Sequence, residues 1–200
     1  MADALGLGRF TYVGHSMGGA IGFLLGLDYP ERLAKLVLVA PIPSGGTETA
    51  PGLHEHARAL RHAPDGRAQL LRQRLALRVR ASEELTERAL DRSLSVSEGH
   101  FEQSQEAMVA FDVTDRLGTL RTPTLIVSGA ADALCVANIQ DWMRLPNATL
   151  HVFSRVGHGI PSDVPAELAD VIADFVEHGV VNAQTQQDKL NAAMATAPVP

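Results

Sequence analysis

Residues 10–19, FTYVGHSMGG, are the most informative segment of the chain for its fold. Residues 10–13 are aromatic and β-branched, and this pattern is typical of a short buried strand. Small and apolar residues then continue from position 17 to about position 27 and stop before Pro30, where proline prevents the helix from continuing. We therefore predict a strand that turns sharply, at Ser16, into a buried helix.

The turn itself carries the pattern Gly-x-Ser-x-Gly, here Gly14-His15-Ser16-Met17-Gly18. Between a strand and a helix this pattern indicates a nucleophile elbow, in which a serine at positive φ projects its hydroxyl above the sheet. We expect side chains at Gly14 and Gly18 to collide with neighbouring backbone in so sharp a turn. The N-terminus of the following helix would stabilise negative charge that develops at Ser16.

This turn has two other interpretations. An inert serine in a glycine-rich connection between a strand and a helix would give the same pattern. A phosphate-binding loop would end in Gly-Lys-Ser or Gly-Lys-Thr, which the turn lacks, and its glycines do not fit a dinucleotide-binding fingerprint.

Further along the chain, strands and helices alternate. Three apolar runs, residues 36–40, 124–128 and 149–153, are predicted strands, and the first two are apolar enough to be covered on both faces. Residues 165–176 are a predicted helix with Pro165 in its first turn. The alternation predicts an α/β fold with a mostly parallel sheet and helices on both faces.

Residues 42–118 interrupt this alternation. Nine of the fifteen arginines lie between Arg58 and Arg92, among leucines at roughly helical spacing. We predict a helical insertion that separates two parts of an α/β core, residues 1–41 and 119–179, and we interpret the arginines as a solvated helix face. Residues 180–200 are rich in Gln, Asn and Ala, and we expect them to form a poorly ordered tail.

The composition excludes several classes of protein. With 200 residues, 46% of them hydrophobic and 20% charged, the chain predicts one globular domain with a core, or one domain plus a lid. A net charge of −6 argues against nucleic-acid binding, and the single cysteine, Cys135, excludes an internal disulfide and a cysteine-based zinc site. No apolar run reaches the length of a membrane span, and the first residues do not resemble a signal peptide. We therefore expect a cytoplasmic protein.

A serine becomes a strong nucleophile when a base, itself held by an acid, takes its proton. Asp132 follows the predicted strand at 124–128, and His158 follows the one at 149–153. Because the carboxyl ends of parallel strands meet at one edge of the sheet, both should lie near Ser16. The order Ser…Asp…His is also the one that nucleophile-elbow folds use. Taken singly, an aspartate after a strand is usually a helix cap and a loop histidine is usually solvated, so the prediction depends on all three.

The chain resembles the serine-nucleophile branch of the α/β-hydrolase superfamily. The matching segments are residues 14–19, 29–33 and 129–132 together with Gly157-His158. The resemblance implies that Ser16 is the nucleophile, that His158 is the general base and then the acid, and that Asp132 orients His158. It implies that the Met17 backbone N–H is one oxyanion-hole donor and that residues 42–118 are a cap over the active site.

The resemblance implies a serine hydrolase, most simply a carboxylic ester hydrolase, that works through an acyl-enzyme on a small or medium apolar substrate without cofactor or metal. The same group of residues also serves lactones, amides, carbon–carbon bonds and perhydrolysis in this superfamily. Serine at the elbow argues against the haloalkane dehalogenase and epoxide hydrolase branches, which place aspartate there. The alternative from another class is a non-catalytic fragment or a binding protein of the same fold.

The start of the chain departs from the family pattern. Members carry several strands and helices before the elbow, and a loop among them supplies the second oxyanion donor. Here residues 1–8 precede the first strand, so we expect an incomplete, N-terminally truncated form with impaired activity. The elbow strand would then present an unpaired edge, and such edges invite pairing. Three explanations compete: a fragment, a shortened hydrolase that forms a homodimer through the elbow strands, and a non-catalytic remnant.

Several other residues are candidates for lesser roles. Asp112 and Asp115 precede the third predicted strand, so either is an alternative acid. His15 is expected to order the elbow loop or to line the pocket, and Asp163 is interpreted as a loop or capping residue. The His-x-His pair at residues 54–56 lacks the acidic or cysteine partners of a metal site. Core packing is the interpretation for Phe23, Cys135 and Trp142.

Overall fold

The computed structural model describes residues 2–47 and 53–196. Within these residues, four strands form one parallel sheet in chain order, β1-β2-β3-β4. The strands are β1 Phe10–His15, β2 Leu33–Val39, β3 Thr124–Gly129 and β4 Ala148–Phe153. The prediction of a mostly parallel α/β sheet is confirmed.

Helices connect the strands and cover both faces of the sheet. They are α1 Met17–Asp28, α2 Leu53–His62, α3 Gly66–Leu77, α4 Glu83–Ser95, α5 Glu98–Ala110, α6 Cys135–Arg144, α7 Ile160–Asp163, α8 Pro165–His178 and α9 Ala183–Thr196. Short 3₁₀ turns cover Asp3–Leu5, Pro30–Arg32 and Thr114–Thr119. Among the described residues, no helix is long and apolar enough to cross a membrane.

Strand β2 shows how the two layers form. Successive side chains of a strand point to opposite faces. Leu36 and Leu38 accordingly belong to the apolar cluster that also holds Phe23 of α1, while Val37 and Val39 belong to the cluster that holds residues of α8. These four side chains are at most 1% exposed. A continuous apolar run is therefore required over residues 36–39, because neither face of the sheet meets water there.

The segment between β2 and β3 contains α2 to α5 in its described part, and Ser44 ties its two ends together. The Ser44 carbonyl accepts from the Val113 N–H at 2.7 Å, and the Ser44 N–H and hydroxyl donate to the buried Asp141 carboxylate on α6 at 2.7 and 2.5 Å. Burial raises the pKa of Asp141 above its usual value, against the opposing effect of these two bonds. The insertion therefore leaves and re-enters the core at one fixed junction.

The arginines of the insertion do more than form the solvated helix face that the sequence suggested. Arg61 donates to the Ser93 and Val96 carbonyls at 2.8 Å each. Arg74, which is partly buried, donates to the Ser93 hydroxyl at 2.9 Å. Burial lowers the pKa of Arg74. These guanidinium groups bond the end of α4 to its neighbours, whereas Arg67 pairs with Asp91 at the surface.

The expected poorly ordered tail is helical over most of its length, because α9 occupies Ala183–Thr196. Asn182 precedes this helix and caps it: its Oδ1 accepts from the Thr185 N–H at 2.9 Å, and its N–H donates to the Thr185 hydroxyl at 2.9 Å. Asn182 Nδ2 also donates to the Ala148 carbonyl of β4 at 3.2 Å. The polar composition concealed this reciprocal capping arrangement, which starts a helix and ties it to the sheet.

Candidate active site

The elbow lies between β1 and α1. Ser16 adopts φ 56° and ψ −116°, the positive φ that the sequence predicts. Its N–H donates to the Val39 carbonyl at 2.9 Å, and its carbonyl accepts from the Ile42 N–H at 3.1 Å. The end of β2 therefore holds a backbone conformation that costs a non-glycine residue about 1–3 kcal/mol.

Two close approaches require glycine at the elbow. A Cβ on Gly14 would lie 2.2 Å from the Gly18 carbonyl oxygen, as the sequence predicts. At Gly18 the prediction of a collision is wrong, because an added Cβ would lie 3.7 Å from the nearest atom, the Tyr12 hydroxyl oxygen. Gly19 is the second sterically required position, since its Cβ would lie 2.5 Å from Pro41 Cβ. Nothing in the local pattern identifies Gly19, because Pro41 comes from another strand end.

Ser16, His158 and Asp132 form a continuous hydrogen-bonded chain. Ser16 Oγ lies 2.9 Å from His158 Nε2, and His158 Nδ1 lies 2.9 Å from Asp132 Oδ2. A carboxylate has no hydrogen to donate, so Nδ1 carries the hydrogen in this pair. In neutral His158, Nε2 is then the free acceptor for the Ser16 hydroxyl. The arrangement can remove a proton from Ser16.

The Asp132 side chain is 4% exposed, whereas that of His158 is 43% exposed. Burial raises the pKa of Asp132, but the hydrogen bond from His158 and that from the Leu134 N–H outweigh this effect. The net pKa of Asp132 therefore lies below its ordinary value, and the group stays ionised at neutral pH. The Leu134 N–H donates to Asp132 Oδ1 at 3.1 Å, so both carboxylate oxygens have donors.

His15 contacts the backbone of the loop that carries His158. His15 Nε2 lies 2.9 Å from the His158 carbonyl oxygen, and the two ring centroids are 5.0 Å apart. A carbonyl only accepts, so His15 Nε2 carries the hydrogen. Burial lowers the pKa of His15, more than the bond to the His158 carbonyl raises it. His15 is therefore a neutral donor that holds this loop against the elbow.

Asp163, interpreted from the sequence as a loop or capping residue, joins two distant segments. Its Oδ1 accepts from the Ala81 N–H at 2.7 Å, and its Oδ2 accepts from the Gly157 N–H at 3.3 Å. Ala81 lies in the insertion, and Gly157 directly precedes His158. The sequence shows that Asp163 lies five residues after His158. No sequence pattern indicates that Asp163 contacts Ala81.

The remaining candidates lie elsewhere. Asp112 accepts from the Thr114 N–H at 3.0 Å, Asp115 lies in the 3₁₀ turn Thr114–Thr119, and His158 bonds to neither of them. His54 pairs with Glu102 at 2.7 Å. Within residues 2–47 and 53–196, no group of three or more His, Cys, Asp or Glu could hold a metal ion. The residues interpreted as packing are buried or packed on the core: Phe23, Cys135 and Trp142.

The N-terminus of α1 and an adjoining cavity complete the candidate site. Met17 is the first residue of α1, so its N–H is one of the donors that an α-helix leaves without an internal partner. A cavity of about 300 Å³ lies between α1 and α5, and Met17 is one of its lining residues. Most of its lining is apolar: Met17, Ala20, Ile21, Leu24, Ala107, Met108 and Phe111, with His100, Gln103 and Ser104 as the polar members.

Comparison with known proteins gives one family and several related hydrolases. Residues 1–163 match the family model described as alpha/beta hydrolase fold. The chain is 28% identical over 187 residues to a 2-hydroxy-6-oxo-6-phenylhexa-2,4-dienoate hydrolase of Comamonas testosteroni. That alignment covers 88% of this chain and 65% of that protein. It is 32% identical over 168 residues to a 2-hydroxy-6-oxononadienedioate/2-hydroxy-6-oxononatrienedioate hydrolase of Burkholderia vietnamiensis. That alignment covers 78% of this chain and 58% of that protein. The chain thus spans less than two thirds of the length of either relative.

Solved structures show the same fold at lower identity. An esterase from Exiguobacterium antarcticum matches with a TM-score of 0.73 and 22% identity, over 88% of this chain and 69% of that chain. A hydrolase from Pseudomonas aeruginosa matches with a TM-score of 0.71 and 23% identity, over 88% of this chain and 67% of that chain. At these identities the likeness concerns the fold alone.

Proposed function

The chain belongs to the alpha/beta hydrolase fold family, and on this premise we propose that the protein is a serine hydrolase that cleaves a carboxylic ester or a related acyl substrate. One observation carries the proposal: Ser16 Oγ, His158 and Asp132 are joined by two hydrogen bonds of 2.9 Å each. Ser16 is the nucleophile, His158 the base and then the acid, and Asp132 the group that orients His158.

The reaction proceeds in two steps. Ser16 Oγ attacks the carbonyl carbon while His158 Nε2 takes the hydroxyl proton, and His158 then returns that proton to the leaving oxygen as its bond to carbon breaks. Water attacks the resulting acyl-serine and gives a proton to His158 Nε2. That proton returns to Ser16 Oγ as the carboxylic acid leaves, and the free enzyme is restored.

The position of Met17 supports this mechanism. Negative charge develops on the carbonyl oxygen of the substrate in each step. The Met17 N–H lies at the N-terminus of α1, which is the positive end of the helix dipole and would stabilise that charge. Met17 N–H is therefore an oxyanion donor. Removal of one such donor costs about 10²–10³ in turnover in enzymes of this type.

The cavity between α1 and α5 suggests the kind of acyl group. Met17, the residue after the nucleophile, is one of its lining residues, and most of the lining is apolar. A volume of about 300 Å³ suits a small ligand. We expect an apolar acyl or aryl group.

The named relatives favour a second candidate, the hydrolysis of a carbon–carbon bond. The Comamonas testosteroni and Burkholderia vietnamiensis proteins are hydrolases of 6-oxo dienoates. Such a compound carries a ketone and no ester, so its hydrolysis breaks the bond between two carbons. The same Ser16–His158 pair would serve, with a proton delivered to carbon in place of oxygen.

Covalent labelling with a fluorophosphonate tests the proposal, because such probes react with an activated serine. Intact-mass analysis of the folded, size-characterised chain should show a single adduct that maps to Ser16. The Ser16→Ala variant is the matched control and should show no adduct and no turnover of p-nitrophenyl esters.

Two results would contradict the proposal. A folded chain that gains no adduct would favour a non-catalytic fragment or a binding protein of the same fold. Ester turnover that persists undiminished in Ser16→Ala would place the chemistry elsewhere. If Ser16 is labelled but only a 6-oxo dienoate is hydrolysed, the carbon–carbon candidate replaces the ester.

A further inference from the structure

We propose that Asp163 is a positioning residue, which ties the helical insertion to the loop that carries His158, so that docking of the insertion and placement of His158 occur together. The inference rests on the proposed function, because it assigns Asp163 a part in the work of His158. It concerns a carboxylate that contacts neither Ser16 nor the His158 ring, and that acts through two backbone N–H groups.

The two hydrogen bonds of Asp163 lead to different parts of the chain. Oδ1 accepts from Ala81, 82 residues away, at 2.7 Å, and Oδ2 accepts from Gly157 at 3.3 Å. Ala81 lies between α3 and α4, in the middle of the insertion. An ionised carboxylate has two accepting oxygens, so it can hold both donors at once.

Asp163 stands on a rigid base. It ends the short helix α7, its N–H donates to the Gly159 carbonyl at 2.9 Å, and its neighbours Ile160 and Val164 are at most 1% exposed. These apolar side chains belong to the cluster under the sheet. The Asp163 carboxylate is therefore fixed to the core. Its bond to the Ala81 N–H holds the insertion to that core.

The linker between α3 and α4 also passes close to the same loop. A Cβ built on Gly157 would lie 3.6 Å from Val79 Cγ2, so the Val79 side chain lies next to Gly157. The Asp163 bond to Ala81 therefore acts where the linker already approaches the His158 loop.

The backbone on both sides of His158 is held. The Gly157 N–H donates to Asp163, and the His158 carbonyl accepts from His15. With both ends of this short segment fixed, the imidazole can reach Ser16 and Asp132 at 2.9 Å simultaneously. A shift of about 1 Å in such an arrangement can cost 10²-fold in rate.

The variant Asp163→Asn tests the inference, because asparagine keeps one accepting oxygen and places an NH₂ group where the second oxygen was. Asp170→Asn is the matched control, since Asp170 is an exposed carboxylate on α8. Turnover is expressed per active site titrated with the fluorophosphonate. We expect kcat of Asp163→Asn to fall by roughly 10- to 100-fold with a smaller change in KM, and that of Asp170→Asn to equal the wild type.

A second variant removes only the insertion's donor. Ala81→Pro deletes the N–H that reaches Asp163 and leaves the carboxylate in place. Amide hydrogen exchange should then accelerate in the linker between α3 and α4 in both variants, and at Gly157 in Asp163→Asn. If the tie acts as one unit, the double variant should lose little more turnover than Asp163→Asn alone.

The inference is overturned by a kcat per titrated site in Asp163→Asn that equals that of Asp170→Asn, or by unchanged exchange at Ala81 and Gly157 in Asp163→Asn. A lower melting temperature with unchanged kcat per site would show a structural role only, and so also overturns it. If the wild type itself gains no adduct, the proposed function fails. Hydrogen exchange then decides whether Asp163 ties the two segments.

Discussion

At Gly19 a single methyl group decides whether α1 can pack beside the end of β2. An added Cβ would lie 2.5 Å from Pro41 Cβ and 2.7 Å from Pro41 Cα, and backbone atoms cannot move aside cheaply. We expect Gly19→Ala to lower the free energy of unfolding by about 1–3 kcal/mol. Urea unfolding measures this change.

Gly18→Ala is the control for that prediction. It adds the same methyl one position earlier, where the nearest atom lies 3.7 Å away. Alanine also has a higher helix propensity than glycine, so this variant should be as stable as the wild type or more stable. Equal destabilisation by both substitutions would contradict the steric account of the elbow.

The Asp132 carboxylate predicts an acid limit to stability. Burial raises the pKa of Asp132, but the hydrogen bonds from His158 and Leu134 lower it by more. The pKa in the folded state therefore lies below that in the unfolded state. Such a group contributes stability that is present above the unfolded pKa, about 3.9, and is lost as pH falls through the folded pKa. Melting curves should be recorded from pH 7 to pH 3. The wild type should melt at a higher temperature than Asp132→Asn at pH 7, and this difference should disappear below about pH 4. Parallel pH profiles for the two proteins would contradict the assignment.

At the scale of elements, Arg61 joins α2 to the end of α4. Its guanidinium donates to the Ser93 and Val96 carbonyls at 2.8 Å each and lies 4.6 Å from the centre of the Phe101 ring. A lysine cannot reproduce this planar fork. We expect Arg61→Lys to lower the free energy of unfolding by about 1–2 kcal/mol, as measured in urea.

Arg72→Lys is the matched control for Arg61→Lys. Arg72 is an exposed arginine of α3, so the same chemical change should leave stability within about 0.5 kcal/mol of the wild type. If both substitutions have the same effect, the arginines are a solvated face, as the sequence suggested, and the bonds of Arg61 add nothing.

Elements with a strong periodic or apolar pattern could be predicted from the sequence, and elements that depend on a distant partner could not. Helix α1 begins and ends within a residue of its predicted bounds, because the glycine-rich turn and Pro30 mark it locally. Helix α9 was not predicted, because its sequence is mostly polar and lacks an apolar face. Its start also depends on Asn182, which caps the helix and bonds to β4.

At the scale of the whole molecule, the described sheet has β1 at its edge, where it pairs with β2 alone. Val13 of β1 is 50% exposed. An unpaired strand edge offers N–H and C=O groups to another chain, so we expect the 200-residue chain to associate with a second copy through β1. Sedimentation at several concentrations should show a dimer.

Val13→Lys tests that association, because an inward or edge lysine is a common protection against strand pairing. The variant should sediment as a monomer and keep its melting temperature within a few degrees. A wild-type chain that sediments as a monodisperse monomer would remove the dimer from consideration. Full association of Val13→Lys would place the interface elsewhere.

Features that depend on neighbours along the chain could be predicted from local sequence patterns. The strand at Phe10, the elbow at Ser16, helix α1 and the apolar strands β2 and β3 all follow from local pattern and turn chemistry. The sequence also placed Asp132 and His158 after parallel strands, and this was enough to predict that they meet Ser16.

Individual contacts between distant segments could be identified only in the folded molecule. The hydrogen bond from the Ala81 N–H to Asp163 spans 82 residues. The requirement for Gly19 arises from Pro41 at the end of another strand. No residue's type or spacing carries such information, because the distance between two remote atoms is set by the packing of the elements that hold them.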